Sequence, residues 1–166
     1  MTIIPPYLEP GDTIGIVCPA GYMPLERAQT CIDTLKLWGF NVKIGNTLGG
    51  SSQNYFSGTD EERLQDLQQM LDDDSIKAVL CGRGGYGMGR IVDDISFKKF
   101  KKHPKWIIGY SDVTILLAHI YSEYKIAGLH SPMAGAFNDG ADSEYILSLR
   151  HLLTGGQANY TCAPHT

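Results

Sequence analysis

The sequence predicts an α/β fold, in which helices cover both faces of a parallel β-sheet. Short runs rich in β-branched residues alternate with segments of helical periodicity, which is typical of consecutive β-α units. The runs are apolar on both faces, as expected for strands buried from both sides. A hydrophobic content of 43% with 19% charged residues is that of a globular chain, and 166 residues suffice for one core. We therefore expect a single domain with a Rossmann-like or flavodoxin-like sheet.

The first β-α unit is marked by its boundaries. "DTIGIVC", residues 12–18, is a β-branched run between turn-forming residues, so it predicts a short buried strand. A helix is predicted next, because apolar residues recur at three- and four-residue spacing from Leu25 to Trp38, and Gly39 is suited to end it. "FNVKI", residues 40–44, predicts the second strand.

Further β-α units follow along the chain. Thr59 and Glu62 have the spacing of a capping box, which predicts the start of a helix with inward-facing leucines. Three more strands and three more helices are predicted: strands at 75–81, 105–109 and 125–130, and helices at 88–95, 112–124 and 143–153. In a parallel sheet of this kind, functional groups gather at the carboxyl ends of the strands.

The predicted core extends over about residues 12–154 of the chain 1–166. Beyond it the sequence thins into small and polar residues without a packing element, which is typical of a domain boundary. We therefore expect the chain to be one domain of a longer protein.

The charge pattern argues against two classes of partner. A net charge of -4 without a dense basic stripe is unsuited to nucleic acid or to an anionic membrane surface. The one basic cluster is predicted to be a solvated loop before a strand. It consists of Lys98, Lys99, Lys101, Lys102 and Lys105.

Targeting signals and cysteine spacing also limit the possibilities. No basic-then-apolar leader opens the sequence, and no apolar run approaches the ~20 residues that span a bilayer, so a cytoplasmic protein is expected. The four cysteines show no C-x-x-C spacing, and Cys18, Cys31 and Cys81 lie in apolar segments. They predict buried free thiols, and neither a metal nor a cofactor is expected.

Three strand ends should face one crevice: residues 18–21, 82–87 and 109–112. The second, "GRGGYG", matches G-x-G-x-x-G after a strand and before a predicted helix. Three interpretations stay open for it: a nucleotide-binding turn, a purely structural turn, or a cradle of backbone N–H groups for an anion or oxyanion.

The third strand end, "GYSD", predicts a nucleophile elbow at Ser111. Such an elbow places a serine on a sharp strand-to-helix turn, so that the next residue's N–H points at the developing oxyanion. Val113 stands where G-x-S-x-G has its second glycine, which argues against an ordinary α/β hydrolase. The alternative is that Ser111 only caps the following helix.

A serine nucleophile needs a base within about 3 Å, and no histidine of the chain is expected to provide it. His119 lies about two helical turns, or ~10 Å, from the elbow. His103 precedes a strand and belongs at the opposite edge of the sheet. His130 ends the fifth predicted strand and is interpreted as a supporting or packing residue.

Four segments in this order resemble one known family: "GDTIGIVCPAG", "AVLCGRGGYGMGRIVDDI", "IIGYSDVTILLAHIY" and "GLHSPMAGAF". The chain is similar over about residues 13–137 to the LD-carboxypeptidases, serine peptidases also called muramoyltetrapeptide carboxypeptidases, which have the microcin C self-immunity peptidases as relatives. The resemblance implies a cytosolic peptidase that releases the terminal D-alanine of a murein tetrapeptide by cleaving an L-to-D bond during cell-wall recycling.

The resemblance also implies roles for individual residues. The family's nucleophile falls on Ser111, and its backbone oxyanion donors fall on Asp112 and on Gly85, with Gly84 as the alternative. The family completes its triad with a glutamate and a histidine from a C-terminal domain, which lies outside this sequence. The chain alone is therefore expected to be inactive. Family members often pair as homodimers, although no interface can be recognised in these residues.

A carboxypeptidase must recognise a free α-carboxylate. Arg83, beside Gly84 in the glycine turn, could bind it through paired hydrogen bonds, and Tyr110 is expected to line the pocket. The alternatives are that Arg83 pairs with an acidic neighbour such as Asp112, and that Tyr86 and Tyr110 only shield the sheet.

Overall fold

The computed structural model describes residues 1–50, 55–157, 159 and 161, in which five parallel strands form one sheet. The strands are β1 (Thr13–Val17), β2 (Asn41–Ile44), β3 (Ile76–Cys81), β4 (Trp106–Gly109) and β5 (Leu129–His130). Their order is β2-β1-β3-β4-β5, which is the flavodoxin-like arrangement of the two that the sequence leaves open. The predicted α/β class with a parallel sheet is confirmed.

Within the described residues, four α-helices cover the sheet. They are α1 (Gln29–Leu37), α2 (Asp60–Asp72), α3 (Thr114–Tyr124) and α4 (Glu144–Leu153). A 3-10 turn, Leu25–Ala28, leads directly into α1, so the helical pattern predicted from Leu25 begins with a tighter turn.

Local signals place the ends of α1 and α2. The N–H of Glu62 donates to Thr59 Oγ1 at 3.2 Å, and the N–H of Thr59 donates to Glu62 Oε2 at 2.8 Å. The predicted capping box is therefore confirmed. Gly39 has a φ of +94°, and this left-handed residue ends α1 as predicted.

Side chains alternate along the strands and build one core on each face of the sheet. Ile14 and Ile16 of β1 pack with α1 and α4, whereas Val17 packs on the other face with α2 and α3. A Cβ at Gly15 would lie 2.8 Å from Met70 Sδ, so this glycine lets α2 lie directly on β1. The helices on both faces are thus confirmed.

The helix predicted at 88–95 is wrong. The segment forms two 3-10 turns, Met88–Arg90 and Val92–Asp94. A glycine and several β-branched residues weaken an α-helix this short, so burial of the apolar side chains against the sheet decides the backbone.

The strand predicted at 125–130 is much shorter than expected. Lys125 has a φ of +56° and ends α3, and Ile126 forms only an isolated bridge with Ile3. Ladder pairing with β4 is confined to Leu129 and His130. The apolar pattern therefore marks a partly buried segment, in which Ile126 is buried and only the end joins the sheet.

The basic cluster contains one buried member. Lys105 is 3% exposed, and its Nζ donates to Met70 O at 3.0 Å and to Asp73 O at 2.6 Å. These carbonyls lie at the C-terminal end of α2, where a cation is favourable. The other four lysines are exposed, so the predicted solvated loop is correct except at Lys105.

The described cysteines Cys18, Cys31 and Cys81 are buried free thiols, as predicted. Cys162 lies outside the described residues. No helix in the part of the chain that the structure describes has the length and apolar character needed to cross a bilayer.

Replacing Lys105 by methionine should change how stability depends on pH. Burial lowers the pKa of Lys105 from 10.5 to about 8, so between these values only the unfolded chain holds the proton. The free energy of unfolding of the wild type should therefore rise with pH relative to Lys105→Met, by about 2 kcal/mol between about pH 7.5 and about pH 10. Urea denaturation at both pH values measures it.

Lys102→Met is the matched control, because Lys102 is an exposed lysine of the same segment. It should show no such pH-dependent difference. If the free energies of unfolding of wild type and Lys105→Met differ by the same amount at both pH values, the lowered pKa of Lys105 is contradicted.

Candidate active site

The carboxyl ends of β1, β3 and β4 meet at one edge of the sheet, as the sequence predicts. The N–H of Gly21, after β1, donates to the carbonyl of Gly84, after β3, at 3.1 Å. Gly84 in turn lies against Ser111, after β4: a Cβ at Gly84 would be 3.0 Å from Ser111 Cβ and 3.2 Å from Ser111 Oγ. Three loops therefore surround one point in the crevice.

Ser111 stands on a strained corner. Its φ of +60° lies in the left-handed region, which costs a residue other than glycine on the order of 1–3 kcal/mol. It begins a 3-10 turn, Ser111–Val113, that leads into α3, and it is exposed to solvent. A strained serine between a strand and a helix is the arrangement predicted for a nucleophile elbow.

Val113, which departs from the usual elbow pattern, packs into the core beside Gly109. A Cβ at Gly109 would lie 2.7 Å from Val113 Cγ1, so the first glycine of the pattern makes room for the valine. Val113 is buried in a small cluster with Cys81 and Met133. One glycine is thus enough for this corner, because the other position turns its side chain into the core.

The alternative in which Ser111 only caps the helix is wrong. The N-cap positions of the 3-10 turn and of α3 are Tyr110 and Val113, and neither end has a side-chain cap hydrogen bond. Among the residues that the structure describes, Ser111 Oγ has no hydrogen-bond partner. The hydroxyl is exposed, and no base assists it within that part of the chain.

Backbone amides beside Ser111 are candidate oxyanion donors. In the described ranges, the N–H groups of Asp112, Gly84 and Gly85 donate to no other hydrogen bond. Gly84 makes the close approach to Ser111, whereas Gly85, with a φ of +124°, lies against the ring of Tyr55. The preference for Gly85 as the oxyanion donor stays a prediction. Because Gly84 lies closer to Ser111, the N–H of Gly84 is an equally good candidate donor.

Arg83 and Asp112 do not pair with each other, so that alternative is wrong. Asp112 Oδ2 accepts the N–H of Met88 at 2.8 Å, which ties the elbow to the end of the glycine turn. Arg83 Nη1 donates to Tyr22 O at 3.0 Å, and its guanidinium carbon lies 5.7 Å from the centre of the Tyr55 ring.

A cleft of about 350 Å³ opens beside the three loops, and Arg83 and Tyr110 line it. Arg27 and Asp139 add further charged groups to its wall. Other lining residues are Tyr22, Met23, Met133 and Gly135. Tyr86 is instead 66% exposed, with its ring centre 6.4 Å from that of Phe56. The cleft is polar and charged, which suits a ligand with a carboxylate.

Cys18 is the other potential nucleophile at this edge, but its environment keeps it protonated. Burial, reinforced by the charge of Asp66, raises the pKa of Cys18 to about 12. Because the thiolate is the reactive form, a neutral buried thiol is inert near pH 7. Ser111 is therefore the candidate nucleophile.

The histidines lie where the sequence suggests. The ring centre of His130 is 6.2 Å from that of Tyr110, which lines the cleft, and His119 stacks on Phe97 at 5.3 Å. His103 lines a groove at the amino-terminal edge of the sheet. In the described residues no group of three or more His, Cys, Asp or Glu side chains could hold a metal ion.

The glycine turn lacks the helix that a dinucleotide site needs. A pyrophosphate binds at the N-terminus of the helix after G-x-G-x-x-G. Gly87 is followed only by the three-residue 3-10 turn Met88–Arg90. The geometry therefore favours the oxyanion cradle over nucleotide binding.

Sequence reasoning missed Arg63, which is 0% exposed and contacts the loops of the site. A signal for it exists: Arg63 shares the helical period of Leu67, Met70 and Leu71, so it lies on the inward face of α2. Its charge made an exposed position the default expectation.

Comparisons with known proteins find similar proteins over most of the chain. The sequence pattern of the LD-carboxypeptidase N-terminal domain matches residues 14–131. The chain is 41% identical over 129 residues to a probable murein peptide carboxypeptidase of Bacillus subtilis, covering 78% of this chain and 40% of the relative. It thus spans well under half the length of that relative.

Solved structures share the fold, among them the following two. One is a muramoyltetrapeptide carboxypeptidase from Oxalobacter formigenes, with a TM-score of 0.74 and 27% identity, over 86% of this chain and 48% of that one. The other is the microcin C7 self-immunity protein MccF in complex with aspartyl sulfamoyl adenosine, with a TM-score of 0.83 and 26% identity, over 97% of this chain and 50% of that one.

Ser111→Gly should be more stable than Ser111→Ala, by about 1 kcal/mol. Both variants lack the hydroxyl, so their difference isolates the strain of a Cβ at a φ of +60°. Ala118, exposed within α3, is the control: Ala118→Gly should be less stable than the wild type by about 1 kcal/mol. Urea denaturation measures both pairs, and alanine being the more stable residue at both positions would refute the strained corner.

Proposed function

The chain belongs to the LD-carboxypeptidase family, and from this premise we propose that it is the nucleophile-bearing N-terminal domain of a serine carboxypeptidase. The enzyme removes the terminal D-alanine of a murein tetrapeptide, or of a related small peptide, by cleaving an L-to-D bond in cytoplasmic cell-wall recycling. The observation that carries this proposal is Ser111, strained and exposed, with Gly84 directly against it. Names of relatives that contain murein peptide carboxypeptidase support the substrate class.

In this mechanism Ser111 Oγ attacks the scissile carbonyl carbon while a base takes its proton. The carbonyl oxygen becomes an oxyanion that accepts the N–H of Asp112 and the N–H of Gly85 or Gly84. Collapse breaks the C–N bond, the base returns the proton to the amine, and D-alanine leaves. Water then hydrolyses the acyl-enzyme and regenerates Ser111.

The base is the part that the described residues do not supply. By analogy with the family, a glutamate and a histidine of a C-terminal domain complete the triad, and the 166-residue chain alone does not turn over at an enzymatic rate. The share of its relatives that the chain spans, 40% of the Bacillus protein, supports this division of labour. Homodimer formation belongs to the same proposal.

Arg83 is the residue that we assign to the substrate's free carboxylate. Its hydrogen bond to Tyr22 O holds the guanidinium at the wall of the cleft, where Tyr110 also lies. A guanidinium has five N–H donors, so a carboxylate can still be bound by two parallel hydrogen bonds. Because Gly84 has no side chain, the space between Arg83 and Ser111 stays open for the peptide.

The proposal is tested by release of D-alanine from murein tetrapeptide. The chain joined to its C-terminal continuation should release it, Ser111→Ala in the same protein should lose at least about 10³-fold in kcat, and the 166-residue chain alone should show no turnover. Thermal shift with NAD and ATP is the control for a nucleotide-binding role, and we expect no stabilisation. Turnover by the chain alone that Ser111→Ala abolishes would place the base within these residues.

Arg83→Met should raise KM for the tetrapeptide and leave kcat nearly unchanged. Loss of a charge-assisted hydrogen bond corresponds to a drop of about 10- to 100-fold in kcat/KM. A tetrapeptide amidated at its C-terminus should be hydrolysed equally by wild type and variant. Arg150→Met, at an arginine over Trp38, is the control and should behave as wild type. An equal loss on both substrates would refute carboxylate recognition by Arg83.

A further inference from the structure

Arg63, in the first turn of α2, is a fully buried charged side chain beneath the crevice. One of its nitrogens, Nη1, donates to two backbone carbonyls: Pro19 O at 2.7 Å and Gly87 O at 3.1 Å. Pro19 belongs to the loop after β1, and Gly87 ends the glycine turn after β3. A single nitrogen therefore joins two of the three loops that form the site.

The rest of the guanidinium is held by residues 56–60, which precede Arg63 in the chain. Arg63 Nε donates to Gly58 O at 3.4 Å, Nη2 pairs with Asp60, and the guanidinium carbon lies 5.0 Å from the centre of the Phe56 ring. These contacts satisfy a charge that would otherwise be costly to bury. They also fix where Nη1 lies.

The contact at Gly87 requires a glycine. A Cβ there would lie 2.9 Å from Arg63 Nη1 and 3.2 Å from Ala20 Cα, and the φ of +156° disfavours any other residue. The last glycine of the G-x-G-x-x-G match thus leaves room for the Arg63 side chain.

The Arg63 Nη1 hydrogen bonds are connected to the backbone on both sides of Gly84 and Gly85, the residues with the candidate oxyanion amides. On one side, the loop that contains Pro19 continues to Gly21, whose N–H donates to Gly84 O at 3.1 Å. On the other side, Gly87 precedes Met88, whose N–H is accepted by Asp112 at 2.8 Å. A shift at Nη1 would therefore move the glycine turn relative to the elbow.

We propose that Arg63 is a positioning residue for the reaction: by joining the loop after β1 to the end of the glycine turn, it holds the Gly84 and Gly85 amides opposite Ser111. The inference rests on the proposed function and deepens it. Oxyanion stabilisation depends on donors within about 2.7–3.1 Å of the developing charge, and a 1 Å misplacement can cost about 10²-fold in rate. Arg63 acts through the backbone and touches no substrate.

The chain contains a matched control in Arg90. Its Nε and Nη2 donate to the same Asp60 carboxylate, and its guanidinium carbon lies 5.7 Å from the centre of the same Phe56 ring. Its side chain is 49% exposed. The backbone N–H of Arg90 donates to Gly87 O at 3.1 Å, but in the described residues its side chain makes no hydrogen bond to the carbonyls of Pro19 or Gly87. Arg90 therefore shares the partners of Arg63 but lacks its link between the loops.

The experiment compares Arg63→Met and Arg63→Lys with Arg90→Met and Arg90→Lys in the protein that releases D-alanine. The lysine ammonium ends one bond short of the position of Nη1, so it keeps the charge but loosens the two carbonyl contacts. Both Arg63 variants should lower kcat by about 10- to 100-fold with KM within about threefold of wild type. Both Arg90 variants should keep kcat. Each variant is assayed well below its own Tm.

A second measurement does not depend on activity. In the 15N-labelled 166-residue chain, Arg63→Lys should shift the amide resonances of Gly84 and Gly85, whereas Arg90→Lys should leave them in place. Should Arg63→Met fail to fold, Arg63→Lys carries the test in both measurements.

The outcomes separate the two proposals. Unchanged kcat in a folded Arg63→Lys variant, or unmoved Gly84 and Gly85 amides, would overturn the positioning role and leave the carboxypeptidase proposal intact. Absence of D-alanine release by the wild type would refute the proposed function, and the amide shifts would still decide whether Arg63 positions the turn.

Discussion

The close approach of Gly84 to Ser111 is the constraint on which the site depends. Two backbones from different strand ends come so near that a Cβ at Gly84 would lie 3.0 Å from Ser111 Cβ, and a Cβ at Gly21 would lie 2.8 Å from Gly84 O. Only loops without side chains at these points can bring three backbones together. The parallel sheet supplies the rigid base, because β1, β3 and β4 are neighbours and end at one edge. The strain at Ser111 is tolerated because Val113 anchors the corner in the core.

Polar groups buried below the crevice hold the loop after β1. Thr47 Oγ1 accepts the N–H of Cys18 at 2.8 Å, Asp66 accepts the N–H of Thr47 at 2.9 Å, and the Ser57 hydroxyl donates to the carbonyl of Cys18. Arg63 completes the set from α2. Buried polar groups stabilise a structure only when each has its partner, and no buried side-chain nitrogen or oxygen in the described residues lacks one. The site is therefore organised from segments that carry none of its reacting groups.

The errors of sequence reasoning have a common cause. Lys105 was predicted to be solvated and Arg63 was missed, because charged side chains are usually exposed, yet both are buried where their donors meet backbone carbonyls of other segments. The segment 88–95 was predicted as a helix from its apolar spacing, but packing on the sheet gives it two 3-10 turns. Each error concerns a residue whose neighbours are distant along the chain. By contrast, the Thr59 capping box and the Gly39 helix end were predicted correctly, because their partners lie within a few residues.

The sequence by itself determined the α/β class, the succession of strands and helices, the glycine turn and the serine at a strand-to-helix seam. Periodicity and turn chemistry are local, so a single chain displays them without a structure. Only the tertiary structure decided that the sheet has the flavodoxin-like order, that Ser111 caps nothing, that Asp112 holds Met88 and not Arg83, and that Arg63 joins two loops. These are contacts between segments far apart in sequence, whose distances depend on how the sheet and helices pack, and no local pattern records them.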